Sequence, residues 1–443
     1  MWEVSEIFVL SDLHLAAERN AGLFQADIAL ADCLRWIRSE TQNSAVVLAG
    51  DILDYLVPEG ANLVYESKQL YTRTSEILEH HPEVFDALAR LATSPLYSLV
   101  LLGGNHDPEM IFPMVQETIE RRLGINSINP GIRWLVQGEA LRVRVGDATV
   151  MIEHGNVLDP WNRIDHARLQ AVSSLASRNL FDADLYQPPL GSRMVLEVVN
   201  ALRKDYHWVD FLKPETEAVV PLLWQLASWS QKRSLFNLVD EYLSMKVVAF
   251  NRKVSNAHHP ERLYLGDKEN EDLTSDQAFK SWVRDIHEDQ RLTLGNGHWP
   301  KKLVDKMQLV SARDTFFDID APDDSAQYLT PVFDNGADCI IHGHTHSAKL
   351  NKVPGGLYLN TGTWGQLLSL PKSYDDTSVW EQFLERLGND DVTGFTRPTL
   401  ARVKYSASTN STSAALLEWQ NPAPKVLAER HFTGRQLGWK ESL

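Results

Sequence analysis

The sequence predicts an α/β fold interrupted by one long helical block. Two changes of texture along the chain carry that reading. Residues 1–155 alternate short apolar runs with helical patterns, residues 156–337 read as helix after helix, and strand-and-turn patterning returns over 338–443. Composition agrees: 443 residues at 43% hydrophobic and 23% charged can bury a core without staples.

The first strand candidates are Glu6–Leu10, Ala45–Ala49, Ser98–Leu102 and Thr149–Glu153, apolar runs that each lead into Asp, Gly or His. Between them, Gln25–Ser39 sets Ile28, Leu30, Leu34 and Ile37 near helical spacing. Pro82 opens a further helix, because its fixed φ suits a first turn. In the middle block, Leu169–Leu180, Met194–Leu212, Glu215–Trp229, Leu235–Phe250, Asp276–Gln290 and Lys301–Arg313 read as helices without a convincing strand among them. After Asp338 come strands Cys339–Ile341 and Gly356–Asn360. Thr399–Tyr405 and Ser413–Trp419 then form a hairpin around the Ser/Thr/Asn-rich Ser406–Thr412. The simplest organisation is one α/β domain, residues 1–155 and 338–443, split by an insertion over 156–337.

Several classes of protein are disfavoured. Two cysteines, Cys33 and Cys339, are too few for a disulfide scaffold. No run approaches the roughly 20 apolar residues of a membrane span. Met1–Glu6 lacks the basic-then-apolar pattern of a signal peptide, so a cytoplasmic setting is expected. The net charge is −16, from 43 Lys+Arg against 59 Asp+Glu. Arg121-Arg122, Lys232-Arg233, Arg252-Lys253 and Lys301-Lys302 are scattered pairs, so a nucleic-acid surface is allowed but not favoured.

Chemistry gathers at the strand ends. Ser11-Asp12-Leu13-His14 follows the first run, and Gly50-Asp51-Ile52-Leu53-Asp54 the second. Gly103-Gly104-Asn105-His106-Asp107 follows the third and Glu153-His154-Gly155-Asn156 closes the fourth. His342-Gly343-His344-Thr345-His346 comes after Cys339–Ile341. Residues two apart on an extended backbone point the same way, so Asp12 and His14 are expected to grip one ion, and His344 and His346 are again two apart. Singly, each cluster reads as a turn, a helix cap or a buried imidazole. Jointly, and all at the edge where α/β sheets form sites, they describe a centre of hard and borderline metal ligands.

This series, Asp12-x-His14, Gly50-Asp51-x-x-Asp54, Gly104-Asn105-His106-Asp107, His154 and Gly343-His344-x-His346, resembles the calcineurin-like metallophosphoesterases. The resemblance implies a four-layer α/β/β/α sandwich, here with a large helical cap insertion, and a binuclear centre on its strand ends. By motif position Asp12, His14 and His346 resemble the ligands of one metal, Asn105, His154 and His344 those of a second, and Asp51 the bridging carboxylate. Two divalent ions are implied, Mn, Fe or Zn with Mn favoured, that activate a bridging hydroxide for attack at phosphorus. His106 resembles the substrate-facing histidine. Asp107 is read either as the carboxylate beside it or as a cap on the following helix, Asp54 as support or a turn residue, and His342 as pointing away.

Val9–Leu15, His154-Gly155-Asn156 and Gly343–Ser347 are most similar to the UDP-2,3-diacylglucosamine pyrophosphatase branch. That branch has a far smaller lid and places arginine where this chain has His106. The expected activity is metal-dependent phosphodiester or pyrophosphate hydrolysis on a small nucleotide-like or lipid-linked substrate. A DNA or RNA nuclease is the alternative, and a non-catalytic protein-interaction scaffold the remote one. Arg163, with Asn162 or His166, is the candidate donor to substrate phosphate, set against a simple pairing with a nearby acid. Trp364 and Gln366 are read as pocket floor or core. His258-His259 is read as a loop feature.

Overall fold

The computed structural model describes residues 2–18, 23–40, 44–57, 67–125, 131–180, 185–214, 218–235, 237–238, 241, 301–373, 376–432 and 434. The expected helix Asp276–Gln290, most of Leu235–Phe250 and the His258-His259 pair lie outside the described residues.

Two sheets carry the first part of the fold. In the seven-stranded sheet, Glu6–Leu10, Ser44–Ala49, Tyr97–Leu102 and Ile132–Leu135 run parallel. The expected hairpin, Thr399–Ser406 with Ser411–Gln420, joins antiparallel beside Glu6–Leu10, and Ala423–Phe432 extends it. The six-stranded sheet runs in the order Trp2–Val4, Leu141–Val145, Ala148–Ile152, Cys339–His342, Gly356–Asn360, Lys349–Val353. Its central strand, Cys339–His342, lies parallel to both neighbours, with Cys339 opposite Val150 on one side and Leu357 on the other.

The unbroken apolar runs are explained by burial on both faces. Ile7, Val9, Val47 and Val100 point to a core shared with Val143, Val150, Ile341 and Leu359 of the second sheet. The alternate residues Phe8, Leu10, Val46, Leu48 and Leu99 meet Leu30, Leu34, Leu88 and Leu91 of helices Asp27–Glu40 and Pro82–Ala92. On the far side of the second sheet, Phe333 of the short helix Thr330–Asp334 packs on Gly355 and Gly356. The layers therefore run helix, sheet, sheet, helix, as the expected sandwich requires.

The described residues divide into two compact units. One draws on 1–189, 316–366 and 396–443, the other on 190–315 and 367–395. The first holds both sheets and every motif named above. It also takes in helix His166–Ala176, whose Leu169, Val172 and Ala176 join the helix-side core.

In the second unit, the expected single helix Met194–Leu212 is broken. It comprises Leu190–Met194, a π turn at Val195–Val199, Asn200–Arg203 and a 3-10 turn at His207–Asp210. The β-branched run Val195, Val198, Val199 is a poor helix former. Long-range partners hold the rest: the Trp208 indole donates to the Leu387 carbonyl at 2.8 Å, and His207 Nδ1 lies 2.5 Å from Asp390. The chain then extends at Leu212–Lys213 and pairs in parallel with Gln366–Ser369, a strand in a block read as wholly helical. Lys301–Arg313 is helical as expected. Among the described residues no helix is long and apolar enough to cross a membrane.

Candidate metal centre

The five clusters converge at the ends of strands from both sheets. The backbone that presents them is bent, not extended. Eight non-glycine residues among those described have positive φ, and five of them are Asp12, His14, Asp51, His344 and His346, at 52°, 50°, 50°, 67° and 60°. The expectation that an extended pleat aligns Asp12 with His14 and His344 with His346 is therefore corrected: left-handed turns do so. Such a conformation costs roughly 1–2 kcal/mol per non-glycine residue, so surrounding contacts must impose it.

Those contacts are specific. The loops after the first two strands continue to pair beyond them, with Asp12 N donating to Gly50 O at 3.1 Å and His14 N to Asp51 O at 2.9 Å. The Asp12 carbonyl accepts from Thr363 Oγ1 at 2.9 Å, and its carboxylate from the His344 amide at 3.0 Å. Two glycines permit the closeness. A Cβ at Gly104 would overlap the Asp51 carboxylate and amide, and one at Gly343 would overlap Ser11 Oγ and Asp12 Oδ2.

The candidate ligands fall into two groups around Asp51. Ligand atoms of Asp12, His14 and His346 lie within 4.8 Å of one another, and so do those of Asp51, His154 and His344. His14 Nε2 sits 3.0 Å from His346 Nε2 and 3.9 Å from Asp51 Oδ2. In the second group, His154 Nε2 lies 3.2 Å from Asp51 Oδ2 and 3.2 Å from Asn105 Oδ1.

The donor set fits divalent cations. His154 Nδ1 donates to the Ala49 carbonyl at 2.9 Å, which leaves Nε2 facing two oxygen acceptors. Such a focus of lone pairs must be filled by a proton or a metal ion. Burial alone would lower the His154 pKa, but the Asp51 carboxylate, with help from Asp12, pushes it up to about 9. Burial likewise opposes charge on Asp51, yet His154, His106 and His14 hold it well below the usual carboxylate range.

Asp54 takes the supporting and turn place expected of it, whereas Asp107 fits neither of its two alternatives. The carboxylate beside the His106 ring is Asp54, whose Oδ2 lies 3.3 Å from His106 Nδ1 and 3.2 Å from His14 Nδ1. Asp107, expected beside His106 or as a helix cap, instead accepts from the amides of Gly104 at 2.6 Å, Ile52 at 2.7 Å and Leu53 at 3.2 Å. It makes no side-chain cap on the 3-10 turn Pro108–Ile111. Three amides can hold this wholly buried side chain, so it ties the second and third loops together. Burial and the nearby Asp51 raise its pKa to about 7.

Of the remaining expectations, His342 is buried and turned to Glu153, with Nε2 3.0 Å from Oε1. Trp364 is fully buried, its indole donating to Thr399 O at 2.9 Å, and so belongs to the core. Arg163 donates through Nε to Val157 O at 3.0 Å, while its buried Nη2 has no hydrogen-bond partner among the described residues.

Sequence reasoning did not single out Asp159. Its Oδ2 lies 3.0 Å from His344 Nε2 and accepts from Asn162 Nδ2 at 2.7 Å. Asn162 in turn accepts from Asn105 Nδ2 at 3.4 Å. The signal was the turn-forming Asp159-Pro160-Trp161-Asn162 immediately after the fourth motif.

The strand ends of this two-sheet sandwich gather carboxylates, imidazoles and an amide that could hold metal ions. Residues 5–196 match the model of the calcineurin-like phosphoesterase family, so that part of the chain is similar to it. A search of curated proteins finds no match. Among solved structures, a single mutant of Vps29 from Entamoeba histolytica is 10% identical, with 97% of this chain and 99% of that chain covered and a TM-score of 0.30. A predicted phosphoesterase from Streptococcus pneumoniae is 10% identical, with 97% of each chain covered and a TM-score of 0.27. Phosphopantetheinyl hydrolase from Mycobacterium tuberculosis is 11% identical, with 82% of this chain and 90% of that chain covered and a TM-score of 0.26. The fold assignment rests on the family match and the strand order.

Proposed function

We propose that this chain is a two-metal hydrolase of phosphoester bonds, acting on a phosphodiester or pyrophosphate in a small nucleotide-like or lipid-linked substrate. The observation that carries the reading is the convergence of Asp12, His14 and His346 on one side of Asp51, and of Asn105, His154 and His344 on the other. Two divalent ions so held, Mn in the favoured case, would acidify a shared water and neutralise phosphoryl charge.

The chain's own residues supply the rest. His106 stands at the rim with its side chain 19% exposed and its Nδ1 3.3 Å from the buried Asp54 carboxylate. Its Nε2 is the proton source for the leaving oxygen, and Asp54 sets the ring's orientation. Arg163, which makes no ion pair among the described residues, donates to substrate phosphate from the segment that also reaches Asn105 and His344. The domain division into 1–155, 156–337 and 338–443 and a cytoplasmic setting belong to the same proposal.

The test is a hydrolysis panel with added Mn: a phosphomonoester, a phosphodiester, a nucleoside pyrophosphate and single-stranded DNA, with Asp51→Asn as the blank. Diester or pyrophosphate cleavage by the wild type, lost in Asp51→Asn, is the expected outcome. Equal inertness of the two proteins would sink the enzyme reading. DNA cut fastest would sink the substrate class.

A further inference from the structure

The segment after the fourth motif is a tightly self-bonded loop. Asp159 N donates to Asn156 O at 3.1 Å, Asn162 N to Asp159 O at 3.1 Å, and Trp161 N to Asp159 Oδ1 at 2.9 Å. Asn156 Nδ2 donates to Asn162 O at 3.0 Å, and Arg163 Nε to Val157 O. Proline at 160 fixes one φ inside it. A loop held this firmly presents its side chains at set positions.

We propose that Asp159 is a positioning residue that sets the donor polarity of two candidate ligands of the second ion, His344 directly and Asn105 through Asn162. The inference rests on the two-ion reading above.

An ionised carboxylate only accepts, so whatever meets Asp159 must offer N–H. At 3.0 Å, His344 Nε2 must therefore carry the proton, and the ring's lone pair lies on Nδ1. At 2.7 Å, Asn162 must turn its NH2 to the same oxygen, which leaves its Oδ1 toward Asn105. Asn105 then has to turn its own NH2 to Asn162, at 3.4 Å. Its carbonyl oxygen is thereby aimed at the focus shared with His154 Nε2, 3.2 Å away. One charge thus fixes a tautomer and two amide orientations that the ligands alone leave open. Without it, Asn105 could present NH2 to a cation, a repulsive arrangement.

Isothermal titration of the metal-stripped full-length chain with MnCl2, checked by metal content after dialysis, tests this. The wild type is expected to take two ions. Asp159→Ala should bind one with wild-type affinity and the other about 10–100-fold more weakly, the usual loss when a partner of a metal-ligating group is removed. Asn162→Ala, which cuts only the Asn105 arm, should weaken the same ion by less. Asp159→Asn, which keeps an accepting oxygen, should restore part of the loss. Circular dichroism matched to wild type establishes that each variant is folded. Two variants that bind both ions as tightly as wild type would overturn the inference while the two-ion reading stands. Equal weakening of both ions in a folded Asp159→Ala would also overturn it. A wild-type chain that takes fewer than two ions would overturn the two-ion reading itself.

Discussion

The two halves of the centre are braced in different ways. Asp12, His14 and His346 are all buried on left-handed backbone, and the amides of Asp12 and His14 bond across to the neighbouring loop. Asn105 and His344 also meet bracing side chains, Asn162 and Asp159, while His154 is held by the Ala49 carbonyl. Backbone bracing is set by the fold and is hard to alter without unfolding a loop. Side-chain bracing can be changed one residue at a time. On the two-ion reading, the second half would be the one whose affinity single side-chain substitutions adjust more readily.

His106 belongs to neither half, and its removal is the strongest way to separate chemistry from metal holding. His106→Ala should lower kcat about 10²–10⁴-fold, the usual contribution of a proton-transferring side chain. Metal content should stay at the wild-type level. Loss of an ion along with activity would show that His106 is part of a metal group, as its proximity to His14 and Asp51 allows.

Gly343→Ala should strike the first half selectively. The added methyl would overlap Ser11 Oγ and Asp12 Oδ2, and displacement of such packed atoms costs typically 1–3 kcal/mol. In Mn titrations this would weaken one ion roughly 5–150-fold, from the same energy range. Unchanged binding would mean the Asp12 loop gives way freely, and the contrast between the halves would collapse.

Glu109 tests what lies outside both halves. It is buried with Oε2 unpartnered among the described residues, and burial, together with Asp107 and Asp54, raises its pKa to about 8 against the pull of its own backbone amide and Arg73. Between its ordinary value of 4.5 and about 8, the unfolded chain binds fewer protons than the folded one. Stability must then fall as pH rises through that window, by at most about 1.4 kcal/mol per pH unit from this group. Glu109→Gln should flatten the decline of Tm between pH 5 and pH 8 in differential scanning calorimetry. An equally steep decline would assign the slope to other groups.

Much of this was legible in the sequence because the signals were local. Apolar runs ending in Asp, Gly or His marked Glu6–Leu10, Ser44–Ala49 and Tyr97–Leu102 almost to the residue. Ligand types at motif spacing marked which side chains would meet. The bend at Asp12 and His14 was hidden, since left-handed backbone at Asp or His is imposed by partners such as Gly50 O and Thr363 Oγ1, far along the chain. The fate of Asp107 was hidden for the same reason: it is decided by amides some 55 residues upstream. The 3-10 turn at His207–Asp210 follows from Trp208 and His207 finding Leu387 and Asp390. Periodicity within one segment carries no information about such contacts.

The central place of Cys339–His342 in its sheet bears on the order of events during synthesis. Each half of the centre needs a histidine from the turn that follows this strand, His346 for one and His344 for the other. A nascent chain that has emerged only through its first four motifs has most of the candidate ligands and neither pair of anchoring imidazoles complete. Closing the long connection between Ala148–Ile152 and Cys339–His342 adds little entropy per residue, about 0.6 kcal/mol for each doubling of loop length. Ion capture should therefore report that the late strand has docked, and a metal-loaded chain is by that fact one whose two sheets have already met.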